Sequence, residues 1–131
     1  MTSQHPVEMI LLRQLASYLT LPIWMMDQAG NLVYYNEPAE KLLGVRFDDA
    51  GPITAVQLAD LFRTTDLDGT PIPDDEMPVV KALARRFPAH RAIRFCGLDE
   101  VWRDVEISAM PIEGQSGRLL GVFATFWEIR P

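Results

Sequence analysis

Hydrophobic positions change their period along this chain. Val7, Leu11, Leu15 and Leu19 recur every four residues, with Leu12 and Tyr18 beside them and Glu8, Arg13, Gln14 and Ser17 mostly elsewhere. That spacing predicts an amphipathic helix over 6–20, opened by Pro6 and stopped before Pro22. Ile23-Trp24-Met25-Met26 and Leu32-Val33-Tyr34-Tyr35 flank the turn-forming Asp27-Gln28-Ala29-Gly30-Asn31, which predicts a hairpin over 22–36. Asn36 reads as the N-cap of a helix over 37–43, where Ala39, Leu42 and Leu43 are apolar at helical spacing and Gly44 supplies the stop. Residues 45–53 read as a loop. Thr54 and Gln57 stand at capping-box spacing and open a short helix over 54–62.

Residues 63–73, with Gly69, Pro71 and Pro73, read as a polar turn segment. A third helix is predicted over 75–87, with Val80, Leu83, Ala84 and Phe87 on one face. From there the period is two. Residues 91–97 alternate around Ile93 and Phe95. Residues 101–110 set Val101, Val105, Ile107 and Ala109 against Trp102, Asp104, Glu106 and Ser108. Residues 118–129 are apolar on both faces, Leu120, Val122, Ala124 and Phe126 on one and Leu119, Phe123, Thr125 and Trp127 on the other. A strand of that kind is covered on both sides. The order of elements predicts an α+β fold, one antiparallel sheet with helices packed on it. The division expected is an N-terminal amphipathic helix over 1–21 and one domain over 22–131.

Composition narrows the classes. The chain has 131 residues, 48% of them hydrophobic and 23% charged, which is globular usage and excludes disordered and fibrous classes. No apolar run approaches the roughly 18 residues of a membrane helix, and the first residues lack the basic and apolar regions of a signal peptide. Eighteen acidic against 12 basic residues give a net charge of −6, which argues against a nucleic-acid surface. With Cys96 as the one cysteine, an internal disulfide and a cysteine-rich metal site are excluded. The expectation is a cytoplasmic protein.

Three constellations invite chemistry, and each has a plainer reading. Asp66-Leu67-Asp68-Gly69-Thr70 resembles the nucleophile box of haloacid dehalogenase phosphatases, but it does not follow a buried strand, and a turn is the expectation. The same segment read as a calcium loop begins on Thr64 and ends on Asp75, whereas that loop needs an acid first and a glutamate last. The acids Asp60, Asp66, Asp68, Asp74, Asp75 and Glu76 precede Lys81, Arg85, Arg86, His90, Arg91 and Arg94, a split that complements the dipole of the 75–87 helix and leaves an unspecific anion site near Arg91 and Arg94. Among single residues, Cys96 reads as a buried thiol. His5 and His90 do not make a metal site by themselves, and spacing implies no His-Asp partners for Ser108.

Leu21-Pro22-Ile23, Asp27, Gly30, Leu32, Tyr34, Asn36, Ala39, Leu42, Leu43 and Gly44 are similar to the opening of the PAS (Per-ARNT-Sim) family of sensor domains of the bacterial signalling type, which the chain resembles. Asp68-Gly69-Thr70-Pro71-Ile72-Pro73, then Glu76, Pro78, Ala82 and Leu83, resemble a variant of its middle. Val105 to Ile112, then Gly117, Gly121 and Val122, resemble its last two strands, and Glu128-Ile129-Arg130 stands where the family often exits to an effector through Asp-Ile-Thr. The resemblance implies a five-stranded antiparallel sheet of order 2-1-5-4-3 with helices on one face, and a sensory or signal-relay role without chemistry of its own. It departs from the flavin photoreceptors of the family, which carry an Asn-Cys-Arg-Phe-Leu box on a middle helix. It departs from haem-binding members too, since 75–87 contains no histidine and His90 lies just beyond. Covalent flavin photochemistry and haem are therefore both disfavoured, and the cofactor stays unassigned.

A ligand is expected between the sheet and the 37–87 helices, with Ile23, Met25, Leu43, Leu61, Val80, Ile93, Phe95, Ile107 and Phe123 as candidate lining. The alternatives are a PAS dimerisation module with a close-packed core, and a small α+β enzyme, which would show paired acids in an apolar cleft. A homodimer is expected through Leu11, Leu15, Leu19 and the outer sheet face, because the last strand offers more apolar surface than one set of helices covers. An effector domain or protein is a further expected partner.

Overall fold

A computed structural model describes residues 6–129, so that His5 and Arg130 lie outside the described residues. The first helix, α1, runs Val7–Tyr18. Strands β1 (Ile23–Asp27) and β2 (Leu32–Tyr35) form the hairpin, followed by α2 (Glu37–Leu43), α3 (Phe47–Ala50) and α4 (Ala55–Leu61). Strand β3 (Arg63–Thr65), a 3-10 turn at Asp74–Glu76 and α5 (Pro78–Arg85) complete the middle. Strands β4 (Ala89–Cys96), β5 (Trp102–Glu113) and β6 (Leu119–Glu128) close the chain. All pairings are antiparallel, and the sheet order is β2-β1-β6-β5-β4-β3.

Its five principal strands stand in the order expected, with residues 119–128 at the centre. The sixth strand corrects the expected turn over 63–73. Arg63, Thr64 and Thr65 pair with Cys96, Phe95 and Arg94 because β4 would otherwise present an open edge. The single helix expected over 75–87 is also corrected. Met77 precedes Pro78 and is extended (φ −69°, ψ 136°), since the proline ring crowds a helical conformation before it. The helix restarts at Pro78 and ends at Arg86 in the left-handed region (φ 58°). Within the expected loop 45–53, α3 forms a single turn, whose Phe47 packs edge-on against Tyr34 and Tyr35.

Two apolar layers sandwich the sheet. On the inner face, Trp24, Met26, Tyr35, Ile93, Phe95, Val105, Ile107 and Phe126 meet Ala39, Leu42 and Leu43 of α2 and Phe62 beyond α4. Burial pushes the Tyr35 phenol up to about 12, and its hydroxyl donates to the Val45 carbonyl at 3.1 Å. Helix α5 sits on small residues. Its Ala82 packs on Ala109, Val122 and Ala124, so the helix backbone approaches the sheet closely. On the outer face, Ile23, Met25, Ile112 and Leu120 are buried under Met9 and Ala16 of α1, with Leu12, Val33, Tyr34 and Phe123 beside them.

One side chain joins α1, β1 and α2. Asn36, buried, caps α2 by accepting the Ala39 N–H at 3.2 Å, and also accepts the Ile23 N–H at 3.0 Å. Its amide nitrogen donates to the carbonyls of Ala16 at 2.9 Å and Leu21 at 2.8 Å. Both donors and both acceptor positions are used. At the far end, Leu98 N–H donates to the Leu43 carbonyl at 2.7 Å, pinning the β4–β5 turn to the end of α2. Gly97 permits it, because a Cβ there would run into the Leu42 carbonyl oxygen. Replacing Asn36 by alanine removes four hydrogen bonds and leaves the Ile23 and Ala39 N–H groups without this acceptor, and a loss of about 3 kcal/mol is expected. Urea unfolding measures it, and a loss under about 1 kcal/mol would contradict the role given to this amide.

Candidate functional site

A half-open cavity of about 510 Å³ lies between the inner sheet face and helices α4 and α5. Trp24 and Met26 of β1, Phe95 of β4, Ile107 of β5 and Ala124 and Phe126 of β6 make its floor. Leu58 and Phe62 stand on one side, and Met77, Pro78, Val79, Val80 and Leu83 on the other. Gln28, Ala29, Gly30 and Ala55 stand at its β1–β2 turn end, and Thr64 and Asp74 add polar groups. Apolar side chains dominate, as in sites for small organic molecules.

Trp24 is the hub of the floor. Its ring meets Phe126 edge-on at 4.9 Å, Phe95 edge-on at 6.0 Å and Phe62 tilted at 6.3 Å, while Phe62 stacks on Phe95 at 5.5 Å. Its indole Nε1–H is buried and finds no hydrogen-bond partner among the described residues.

Of the nine side chains expected to line a site, Val80, Phe95 and Ile107 stand in the cavity wall. Leu43 and Ile93 belong to the packed core beside it, and Leu61 is largely exposed. Ile23, Met25 and Phe123 point to the other face of the sheet, beneath α1. Their neighbours Trp24, Met26, Ala124 and Phe126 take the inward positions, because alternation along a strand puts adjacent residues on opposite faces. These four, with Phe62 and Met77, were not legible as lining; the aromatic content of Trp24 and Phe126 was the available signal.

The charge split resolves into ion pairs. Arg91 holds Asp66 through Nη2 at 2.7 Å and Nε at 3.1 Å, and reaches Glu76 at 3.4 Å. Lys81 pairs with Glu76 at 3.1 Å, and Arg94 with Asp104 at 3.2 Å. The anion site considered near Arg91 and Arg94 is thus occupied by the protein's own carboxylates. Arg91 ties β4 to both the 66–70 turn and the 3-10 segment before α5, and so fixes one wall of the cavity. The Asp66–Thr70 segment is a tight turn, with Gly69 at φ 90° and Thr70 N–H donating to Asp68 at 2.9 Å. Among the described residues no group of three or more His, Cys, Asp or Glu is placed to hold a metal.

Cys96 is buried at the end of β4 and His90 is exposed on that strand; neither lines the cavity. His90 Nδ1 lies 2.7 Å from Ser108 Oγ, a cross-strand contact that spacing did not imply. The pair sits on the outer face, away from the cavity.

No family model matches the sequence, and no curated protein matches it. Solved structures do. The PAS domain of BvgS from Bordetella pertussis is 18% identical, with a TM-score of 0.61 over 95% of this chain and 87% of that one. The PAS domain of nitrogen regulation protein NR(II) from Vibrio parahaemolyticus is 18% identical, with a TM-score of 0.64 over 91% and 98%. This chain has the PAS fold. A LOV protein of Rhodobacter sphaeroides shares the fold at 11% identity and a TM-score of 0.72, over 95% of this chain and 69% of that chain. In this PAS fold the cavity occupies the space between the sheet and the short helices, and α1 lies across the opposite face.

The Lys81 and Arg91 charges hold the Glu76 carboxyl below its ordinary range, with the Lys81 hydrogen bond the larger cause. A carboxyl lowered on folding stabilises the protein above its unfolded value and loses that contribution as pH falls through the folded one. The stability gap between wild type and Glu76→Gln should therefore shrink as pH drops from about 6 to about 3. Urea midpoints across that range test it. A gap independent of pH would mean that the Glu76 charge does not anchor the 3-10 segment.

Proposed function

We propose that this chain is a sensory PAS domain that binds a small molecule in the cavity behind Trp24 and relays the event through α1 as a homodimer, without catalysis. The observation carrying the reading is the cavity itself, open to solvent and walled mainly by apolar side chains, with Asp74 its one charged residue among the described residues. An enzyme of this size would be expected to converge titratable groups on such a cleft. A bacterial signalling role is supported by the fold it shares with BvgS and NR(II), and a cytoplasmic setting by the buried, lone thiol of Cys96. Among the described residues no helix is long and apolar enough to cross a membrane. The positions of Cys96 and His90 outside the cavity weigh against a covalent flavin adduct and against histidine-ligated haem.

The dimer reading rests on α1. Met9, Leu12 and Ala16 face the helix's own sheet. That leaves Val7, Leu11, Leu15 and Tyr18 on the other side, 62%, 59%, 53% and 74% exposed. An apolar stripe of about three turns left to water is a protein contact in waiting, and a second copy of the same stripe is the self-complementary occupant of a two-fold interface. Trp127 and Trp102 on the outer sheet face, 42% and 39% exposed, extend the apolar surface. The fungal photoreceptor Vivid, which shares the fold at 11% identity and a TM-score of 0.63 over 98% of this chain and 97% of that chain, was solved as a light-state dimer.

Two measurements test these readings. Ala55 stands exposed at the cavity mouth, so Ala55→Trp should fill the entrance and abolish ligand-induced rises in melting temperature while leaving the fold intact. A metabolite screen and native mass spectrometry that find no bound molecule in the wild type would defeat the sensor reading. For the dimer, sedimentation at micromolar concentration should show twice the 14.8 kDa of the chain. Leu15→Asp, which places an unpaired charge in the stripe, should return the monomer. A wild-type monomer, or a dimer that survives Leu15→Asp, would remove α1 from the interface.

A further inference from the structure

The edge strand β2 turns its two tyrosines to opposite faces of the sheet, and Phe47 of α3 meets both, with ring centroids 5.3 Å from Tyr34 and 5.2 Å from Tyr35. The Tyr34 and Phe47 rings already carry a cation supplied by the chain itself. The Arg13 guanidinium of α1 lies 4.6 Å from the Tyr34 centroid and 5.5 Å from that of Phe47, within the reach of a cation–π contact. Arg13 forms no ion pair among the described residues. The surroundings nevertheless favour positive charge. Glu40 accepts the Phe47 N–H at 2.8 Å, which sets a carboxylate beside that residue. Burial pushes the Tyr34 phenol above its ordinary range, the Arg13 charge pulls it back, and the Glu40 and Asp48 charges push it up again, so three charges act on one ring. An open groove of about 660 Å³ between α1 and α2–α3 holds Glu37, Glu40 and Asp48 against Arg13 and Arg46. Arg13 thus fills an aromatic and acidic site suited to its own chemistry. It is exposed there, and a cation–π contact at an exposed position is weak, so another cation displaces it at small cost. A narrower space of about 270 Å³ is bounded by the same Arg13 and Tyr34 and walled by Met9, Ile10, Met25 and Val33. It has room for a short apolar tail, and its two methionines adapt readily to one.

We infer that this groove is a second binding site, for a small organic cation of guanidinium or ammonium type with a short apolar tail, which takes the place of Arg13 on Tyr34 and Phe47. The groove shares no lining residue with the Trp24 cavity, so the inference stands or falls independently of the ligand proposed there. Three probes of nearly equal size separate the terms: phenethylguanidinium, phenethylurea and phenylbutyrate. Titration of 15N-labelled protein follows the backbone amides and the Arg13 Nε–H signal. The guanidinium should bind at least about fivefold more tightly than the urea, and the carboxylate more weakly than either. Its shifts should gather at Tyr34, Phe47 and Arg13 Nε–H and leave the residues of the Trp24 cavity unmoved. Arg13→Gln, which vacates the two rings, should tighten guanidinium binding about twofold to fivefold. Glu40→Gln, which keeps an acceptor for the Phe47 N–H and removes the charge, should weaken the guanidinium and leave the urea unchanged.

A urea that binds as tightly as the guanidinium overturns the inference. So does guanidinium binding that weakens in Arg13→Gln, because Arg13 is then part of the binding wall and not its occupant. Preference for the carboxylate would make the Arg13 charge the recognising group, which overturns the inference as well. If no probe shifts the Tyr34, Phe47 or Arg13 signals in the wild type, nor those of Tyr34 and Phe47 in Arg13→Gln, the groove is not a ligand site and the inference fails.

Discussion

The Asn36 amide is the junction on which this structure turns. A single buried side chain caps α2, holds the first residue of β1 and receives the end of α1, using every hydrogen-bonding position it has. No other residue type of this size offers two donors and two acceptors in one plane. Without it, the Ile23 N–H of β1 and the Ala39 N–H of α2 would lose the oxygen they share, and the Ala16 carbonyl would keep only the Leu19 N–H. The angle at which α1 crosses the sheet, and hence which of its faces looks outward, depends on that amide. The stripe of Val7, Leu11 and Leu15 is exposed because Met9 and Ala16 are the side chains that this geometry turns inward.

The sheet is both wall and connector. Cavity and helix α1 occupy opposite faces, and β1 belongs to both. Trp24 and Met26 look into the cavity, whereas Ile23 and Met25, each one peptide unit away, lie under α1. β6 repeats the arrangement with Ala124 and Phe126 inside and Phe123 outside. The side chains that floor the cavity and those that support α1 are therefore neighbours on the same strand. This is a short mechanical path made of contiguous packed groups, the physical condition for coupling between two faces. Gly121 keeps the two strands close, since a Cβ there would collide with the Met26 carbonyl oxygen.

The cavity exists because close packing was achieved beside it and not within it. Alanines at 82, 109 and 124 let α5 settle against the sheet, while Pro78 and the extended Met77 separate that helix from the 3-10 segment before it. The Arg91 pairs with Asp66 and Glu76 then tie the 66–70 turn and the 3-10 segment to β4. Such partly exposed pairs contribute little to stability, typically about 0–1 kcal/mol, and their importance here is positional.

Local rules were enough for much of this protein. Hydrophobic periods located the strands, Asn36 and Thr54 announced the starts of α2 and α4, and Gly44 the end of α2. The two faces of 119–128 were separable as well, because alternation is a property of the extended chain itself. What alternation does not contain is which of two apolar faces looks inward. β1 is apolar on both, since α1 covers one and the short helices the other, and so Ile23 and Met25 could not be told from Trp24 and Met26 along the chain alone. β3 was equally invisible: Arg63-Thr64-Thr65 has no strand pattern and becomes a strand because β4 lends it an edge. The Ser108–His90 contact, the Arg91 clamp and the unmet Trp24 donor join residues far apart in sequence. Only tertiary packing decides them, because separation along a chain carries no information about distance across a sheet.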